Sequence, residues 1–332
     1  MPPSPRNHSA ASTAFMRRDG GLSAIDLTVL TTITLLASFT AIAVQWAVAT
    51  ITPIVGGILR FMMAAAIIGV ILAARGKLPI PRRSDYLRIM ILGIVCVPIN
   101  QVAFWGGVAM ANASHSAMLY STTPVLVTVM ACLVHIERWS GRVLAGAVLA
   151  ALGVLVILMN SGLFLKSSFI RGDLLLLVAA ATWSGYLVFS RDLNGRYGSL
   201  AVQFWIFVTG SLISMPLLIF ESTRQNWSKI TIQSWIGLAY LSVVVAVIVF
   251  FLFNWSMRRQ PPSRVATFSN AAYPLTLIWE ALLNRHVPGV WFLLGSALVL
   301  GGMILTLYRP AAVITISEEL DPIAGVPSDE KK

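Results

Sequence analysis

The side chains in this sequence that can bind or react lie inside long apolar runs or at their ends. Asn270, Tyr273, Leu277, Glu280 and Asn284 follow three-and-four spacing, which places them on one face of a helix. Asn100 and Gln101 follow Pro98, and a proline in a helix frees backbone carbonyls that must then find other donors. Tyr120 and Thr123 stand just before Pro124, and the stretch Asn270 to Tyr273 stands just before Pro274. Trp183 and Tyr186 share a helical face, Gln203 lies near Trp205, and Asn254 adjoins Trp255. Amides, hydroxyls and rings of this kind hold a solute by hydrogen bonds and stacking; they supply no nucleophile–base pair and no metal shell.

Two charges lie well inside apolar runs, Arg60 and Glu280. An ionised side chain at the centre of a lipid-facing helix costs on the order of 2.5–3.5 kcal/mol on insertion scales, so each needs a reason. Glu280 either faces the interior of a helix bundle or is wetted near the end of its helix. For Arg60 three readings stand open: snorkelling to the interface, contact with a solute, or an ion pair with Glu280.

Other chemistries fit poorly. The four histidines, His8, His115, His135 and His286, fall in tails, loops or run ends, and no Walker-type phosphate loop is present. Cys96 and Cys132 sit in apolar runs without metal-type spacing, so no metal, disulfide or cofactor is expected and the chain is not expected to be an enzyme. The net charge of +11 comes from basic residues in short loops, with no basic stripe interleaved with aromatics; a nucleic-acid partner is not expected.

The elements that must position these groups are helices in a bilayer. Hydrophobic residues make up 57% of the chain and charged residues 11%, against about a quarter charged in soluble domains. Ten apolar runs are long enough, or nearly so, to cross hydrocarbon: 27–49, 53–74, 86–108, 114–134, 143–159, 174–190, 200–220, 232–255, 265–283 and 290–308. The fold class expected is an all-α membrane protein of about ten transmembrane helices. Residues 1–25 and 310–332 read as disordered cytoplasmic tails. Loop charge sets the orientation. Arg17, Arg18, Arg75, Arg82, Arg83, Arg88, Arg138, Arg142, Arg191, Arg196, Arg258, Arg259 and Arg309 fall on one side, which predicts that side, and both termini, to be cytoplasmic in the plasma (inner) membrane.

The halves repeat. Trp105 through Pro124 lies over Trp255 through Pro274, and Gly146 and Gly153 match Gly295 and Gly302 with a one-residue slip. Five spans per copy is an odd number, so the second copy, 172–309, must be inverted relative to the first, 26–160. The glycine stripes predict close helix packing and a possible homodimer face.

The run Ser114-His115-Ser116-Ala117-Met118-Leu119-Tyr120-Ser121-Thr122-Thr123-Pro124, followed by Glu137-Arg138, resembles the EamA-type transporters of the drug/metabolite transporter superfamily. Leu59-Arg60-Phe61 and Gly172-Asp173-Leu174 through Ala181-Thr182-Trp183-Ser184-Gly185-Tyr186 carry the same resemblance. It departs at Asn284-Arg285-His286, where the family usually has Gly-Glu, and near Ser38, where a tryptophan is usual. The resemblance implies a secondary transporter of a small metabolite, such as an amino acid, usually exported. It also implies a cavity lined by spans one to four and six to nine. The alternative class is a non-transporting membrane scaffold, which needs no interior polar groups at paired positions.

Overall fold

The computed structural model describes residues 23–76, 78–111, 116, 119–159, 170–284 and 290–307. The expected tails, apart from residues 23–25, and the loop residues Lys77, Lys166 and Arg285 lie outside the described residues, as does the side chain of Glu280.

Among the described residues the structure is helical and contains no strand. Six apolar helices among the described residues run long enough to cross a bilayer: Ala24–Val48, Pro53–Ala74, Arg83–Ala111, Ile170–Phe189, Ser199–Ser222 and Ile232–Arg259. These are the first, second, third, sixth, seventh and eighth spans. The fourth contains Thr123–Leu133, the fifth Gly141–Met159, the ninth Pro262–Ser269 and Ala272–Asn284, and the tenth Val290–Leu307. Helix is the form this composition must take, because hydrocarbon offers no partner to a free N–H or C=O. Large apolar side chains stand exposed on the outer surface, Val70 at 70% and Leu293 at 65% among them. Water would penalise that belt; lipid does not.

Inside the bundle the core is aromatic where three spans cross. Phe61 of the second, Phe207 of the seventh and Phe250 of the eighth form a ring triangle with centroid separations of 4.3, 5.4 and 5.6 Å. Span pairing follows the repeat. The second packs on the seventh and the fifth on the tenth, while third-on-sixth is matched by first-on-eighth, and fourth-on-sixth by first-on-ninth. Exchanging the halves maps this set of pairs onto itself.

The loops obey the same exchange. Between the first and second spans, Thr50 and Thr52 are held by Gln225: its Oε1 accepts from the Thr52 N–H at 2.8 Å, and its Nε2 donates to the Thr50 carbonyl at 2.9 Å. At the other membrane face, the segment before the third span is held by the short helix Arg191–Tyr197. Arg82 donates its N–H to the Tyr197 hydroxyl at 3.0 Å, and Arg196 pairs with Asp85 at 2.9 Å. Equivalent ties on opposite faces are what two inverted copies produce.

The glycine stripes meet each other within this chain. A Cβ added at Gly153 would lie 2.6 Å from the Gly295 carbonyl oxygen, and one at Gly302 would lie 2.5 Å from that of Gly146. The fifth and tenth spans touch backbone to backbone there, and a homodimer through these faces finds no support in this contact.

Candidate functional site

The site begins with places where helices fail to be regular. The fourth span is interrupted at Ser121 and Thr122, before the helix whose first turn holds Pro124. The ninth is interrupted at Asn270 and Ala271, before Pro274. The two breaks meet: Asn270 Nδ2 donates to the Ser121 carbonyl at 3.0 Å. The first span is also broken, at Ser38 and Phe39. There the Ser38 carbonyl accepts from Thr276 Oγ1, and Ser38 Oγ accepts from Trp279 Nε1 at 3.0 Å, so the ninth span holds the first at its break.

A second irregularity occurs twice. Val95–Ile99 in the third span and Tyr240–Val249 in the eighth are wound as π-helix. With Trp105 over Trp255, the first stretch falls on 245–249, inside the second. A π stretch leaves carbonyls without their usual partner one turn on, and such stretches recur at functional sites. Pro98 accounts for the first; the eighth span has no proline, and its stretch is supported from outside. Gln203 Nε2 donates to the carbonyls of Ala246 and Val247, the latter at 3.3 Å.

Around these irregularities lies a cavity of about 140 Å³. Of the residues singled out in the sequence, Arg60, Asn100, Gln101, Tyr120, Thr123, Trp183, Asn270 and Tyr273 line it together. They come from both halves of the chain. Asn100 is fixed by donating to the Ala179 carbonyl at 2.7 Å and to Thr182 Oγ1 at 3.0 Å, and its Oδ1 accepts from Gln101 Nε2 at 2.6 Å. Gln101 Oε1 is buried without a donor among the described residues. The other singled-out residues stand elsewhere. Tyr186 stacks behind Trp183 with ring centroids 5.4 Å apart, and its hydroxyl bonds to Asn254, which also accepts from Asn194 Nδ2 at 3.0 Å. Gln203 sits at the π stretch. These three support the wall instead of lining it. The Glu280 side chain lies outside the described residues.

The wall also holds residues that sequence reasoning did not single out: Thr40 and Ala41 beside the first break, Phe104, Phe250, Phe253, Ser269 and Thr276. Phe250 and Phe253 had a signal, since they stand one turn apart and both rings meet Trp183, at 4.9 and 5.6 Å. Thr40 had none; its relevance comes from a break that no proline or glycine marks. Arg60 is 2% exposed, so it does not snorkel to the interface. The cavity therefore joins an aromatic flank, a neutral polar flank and one buried cation. Among the described residues no group of three or more His, Cys, Asp or Glu is placed to hold a metal.

Comparison with known proteins agrees with this architecture. The model of the EamA-like transporter family matches residues 25–159 and again 170–308. The chain is 22% identical over 258 residues to an uncharacterized transporter, YetK, of Bacillus subtilis, covering 76% of this chain and 77% of that one. It is 20% identical over 256 residues to a WAT1-related protein of Arabidopsis thaliana, covering 67% of each. A solved crystal structure superposes with a TM-score of 0.69 at 20% identity, covering 85% of this chain and 97% of the other, which is a likeness of fold.

Proposed function

We propose that this chain, which belongs to the EamA-like transporter family, is a secondary transporter that carries a small metabolite through the cavity between its two repeats. The observation that carries the reading is where the cavity lies. Its wall draws on both halves of the chain, at the point where the fourth and ninth spans are both broken. Interrupted helices at equivalent places in inverted repeats form the central site in many secondary transporters, and rocking of one repeat against the other exposes such a site to each face in turn. A cavity of about 140 Å³ is close to the roughly 150 Å³ that holds a benzene molecule. That size suits an amino acid or a related solute. Export is the direction proposed, with both termini in the cytoplasm of a cell whose plasma membrane holds the protein.

The test is a metabolite-efflux screen comparing cells that overexpress the chain with cells that lack it. The expected result is a small solute that accumulates outside the overexpressing cells and stays inside the deleted ones. Ala41→Phe, which projects a ring into the cavity from a wall position that makes no polar contact, is expected to abolish the difference while the protein still reaches the membrane. If no solute distinguishes the two strains, or if Ala41→Phe exports as well as the wild type, the reading fails.

A further inference from the structure

We propose that the transported solute carries a carboxylate and that Arg60 is the residue that binds it; the inference rests on the transport reading above. Arg60 is 2% exposed, lines the cavity and has its Nε buried without a hydrogen-bond partner among the described residues. Among the described residues it makes no ion pair, and the ring of its own neighbour, Phe61, lies 4.7 Å from the guanidinium carbon. No acid is among the described residues that line the cavity. A buried cation left in this state is expensive, and a partner that arrives with the solute removes that cost.

The guanidinium fork matches a carboxylate in a plane, with two parallel hydrogen bonds. The rest of the wall fits an organic body. Trp183, Phe250 and Phe253 make one apolar flank, while Asn100 and Gln101 are neutral amides that add polarity without charge. A bare inorganic anion would leave that flank without contact. An amine in the place of the carboxylate would put like charge against Arg60.

The test uses the full chain, purified into nanodiscs, and three probes that share one body: 3-phenylpropionate, 3-phenylpropanamide and 3-phenylpropylamine. Thermal unfolding is followed during titration of each probe, with sodium chloride titrated separately. The acid is expected to raise the melting temperature of the wild type, and the amide, the amine and chloride are not. Loss of a charge-assisted hydrogen bond weakens binding by about tenfold or more. Arg60→Gln is therefore expected to lose the response to the acid by at least that factor, and Arg60→Lys to keep a weakened part of it. No stabilisation by the acid, equal stabilisation by amide or chloride, or an undiminished response in Arg60→Gln overturns the assignment. If Arg60→Gln does not fold, the head-group series on the wild type and on Arg60→Lys decides. The two readings separate cleanly. Export of a solute that has no acid removes the carboxylate assignment and leaves transport standing. Stabilisation by the acid without flux of any solute removes transport and leaves the Arg60 site.

Discussion

Glu137 caps a helix from the other half of the chain. It follows the fourth span, is 6% exposed, and accepts the Ser263 backbone N–H at 2.9 Å while the Ser263 hydroxyl donates to its second oxygen. Ser263 lies in the first turn of Pro262–Ser269, where helical N–H groups have no partner inside the helix. Burial pushes the Glu137 carboxyl above its ordinary value of 4.5, outweighing the bonds from Ser263 and the nearby charges of Arg191 and Arg264, all of which pull it down. A carboxyl raised on folding binds its proton more tightly in the folded state. Its contribution to stability is therefore full below pH 4.5 and is lost as the pH rises through the elevated folded value. Glu137→Gln keeps an acceptor for the Ser263 N–H and removes the titration. The expected result is a flatter dependence of thermal stability on pH across that window, measured in nanodiscs. A slope equal to that of the wild type would clear Glu137 of this role.

The π stretch of the eighth span shows how an element depends on a residue from another. Tyr240–Val249 leaves carbonyls whose donors have moved, and Gln203 of the seventh span supplies one amide to two of them. Gln203 is fully buried. Gln203→Ala strands those acceptors in a dry interior, where an unpaired polar group costs about 1–3 kcal/mol. We expect the substitution to lower the unfolding temperature, and to reduce transport through the displaced Phe250 and Phe253 rings. The seventh-span glutamine was visible in the sequence as a polar group in an apolar run. Its role was not, because the eighth span reads as an unbroken valine-rich segment with no proline to mark the π stretch. In the third span Pro98 did mark the irregularity, and at the fourth and ninth breaks Pro124 and Pro274 did likewise.

At the scale of the whole molecule, the fifth and tenth spans join the repeats by their backbones. At Gly153 an added Cβ would meet the Gly295 oxygen at 2.6 Å and the Val299 nitrogen at 2.7 Å, backbone atoms that cannot rotate away. Gly153→Ala is expected to cost about 1–3 kcal/mol, the usual range for overpacking. Gly301→Ala is the control: its nearest neighbour is a leucine methyl at 3.8 Å, so it should be near neutral. Equal stability of the two variants would contradict the close approach. Orientation is a property of the whole molecule as well. Reporter fusions after Arg75, Arg138, Arg196, Arg259 and Arg309 are expected to report cytoplasm, and an external signal at two of them would overturn the ten-span arrangement.

Transfer from water to hydrocarbon is summed residue by residue along the chain, so the all-α membrane fold and the order of its apolar runs were legible in the sequence, as were the repeat and the proline breaks. Rotation of each helix about its axis is not summed locally; it is set by what packs against it. Asn270 faces the cavity because its amide is needed by a carbonyl 149 positions away, and Gln203 is turned from it because a carbonyl 43 positions away claims its amide first. Arg60 is the same case for charge. The sequence left it open between the interface, an ion pair and a solute; the packing of both repeats around one cavity took it away from the interface and, among the described residues, left its Nε without a hydrogen-bond partner.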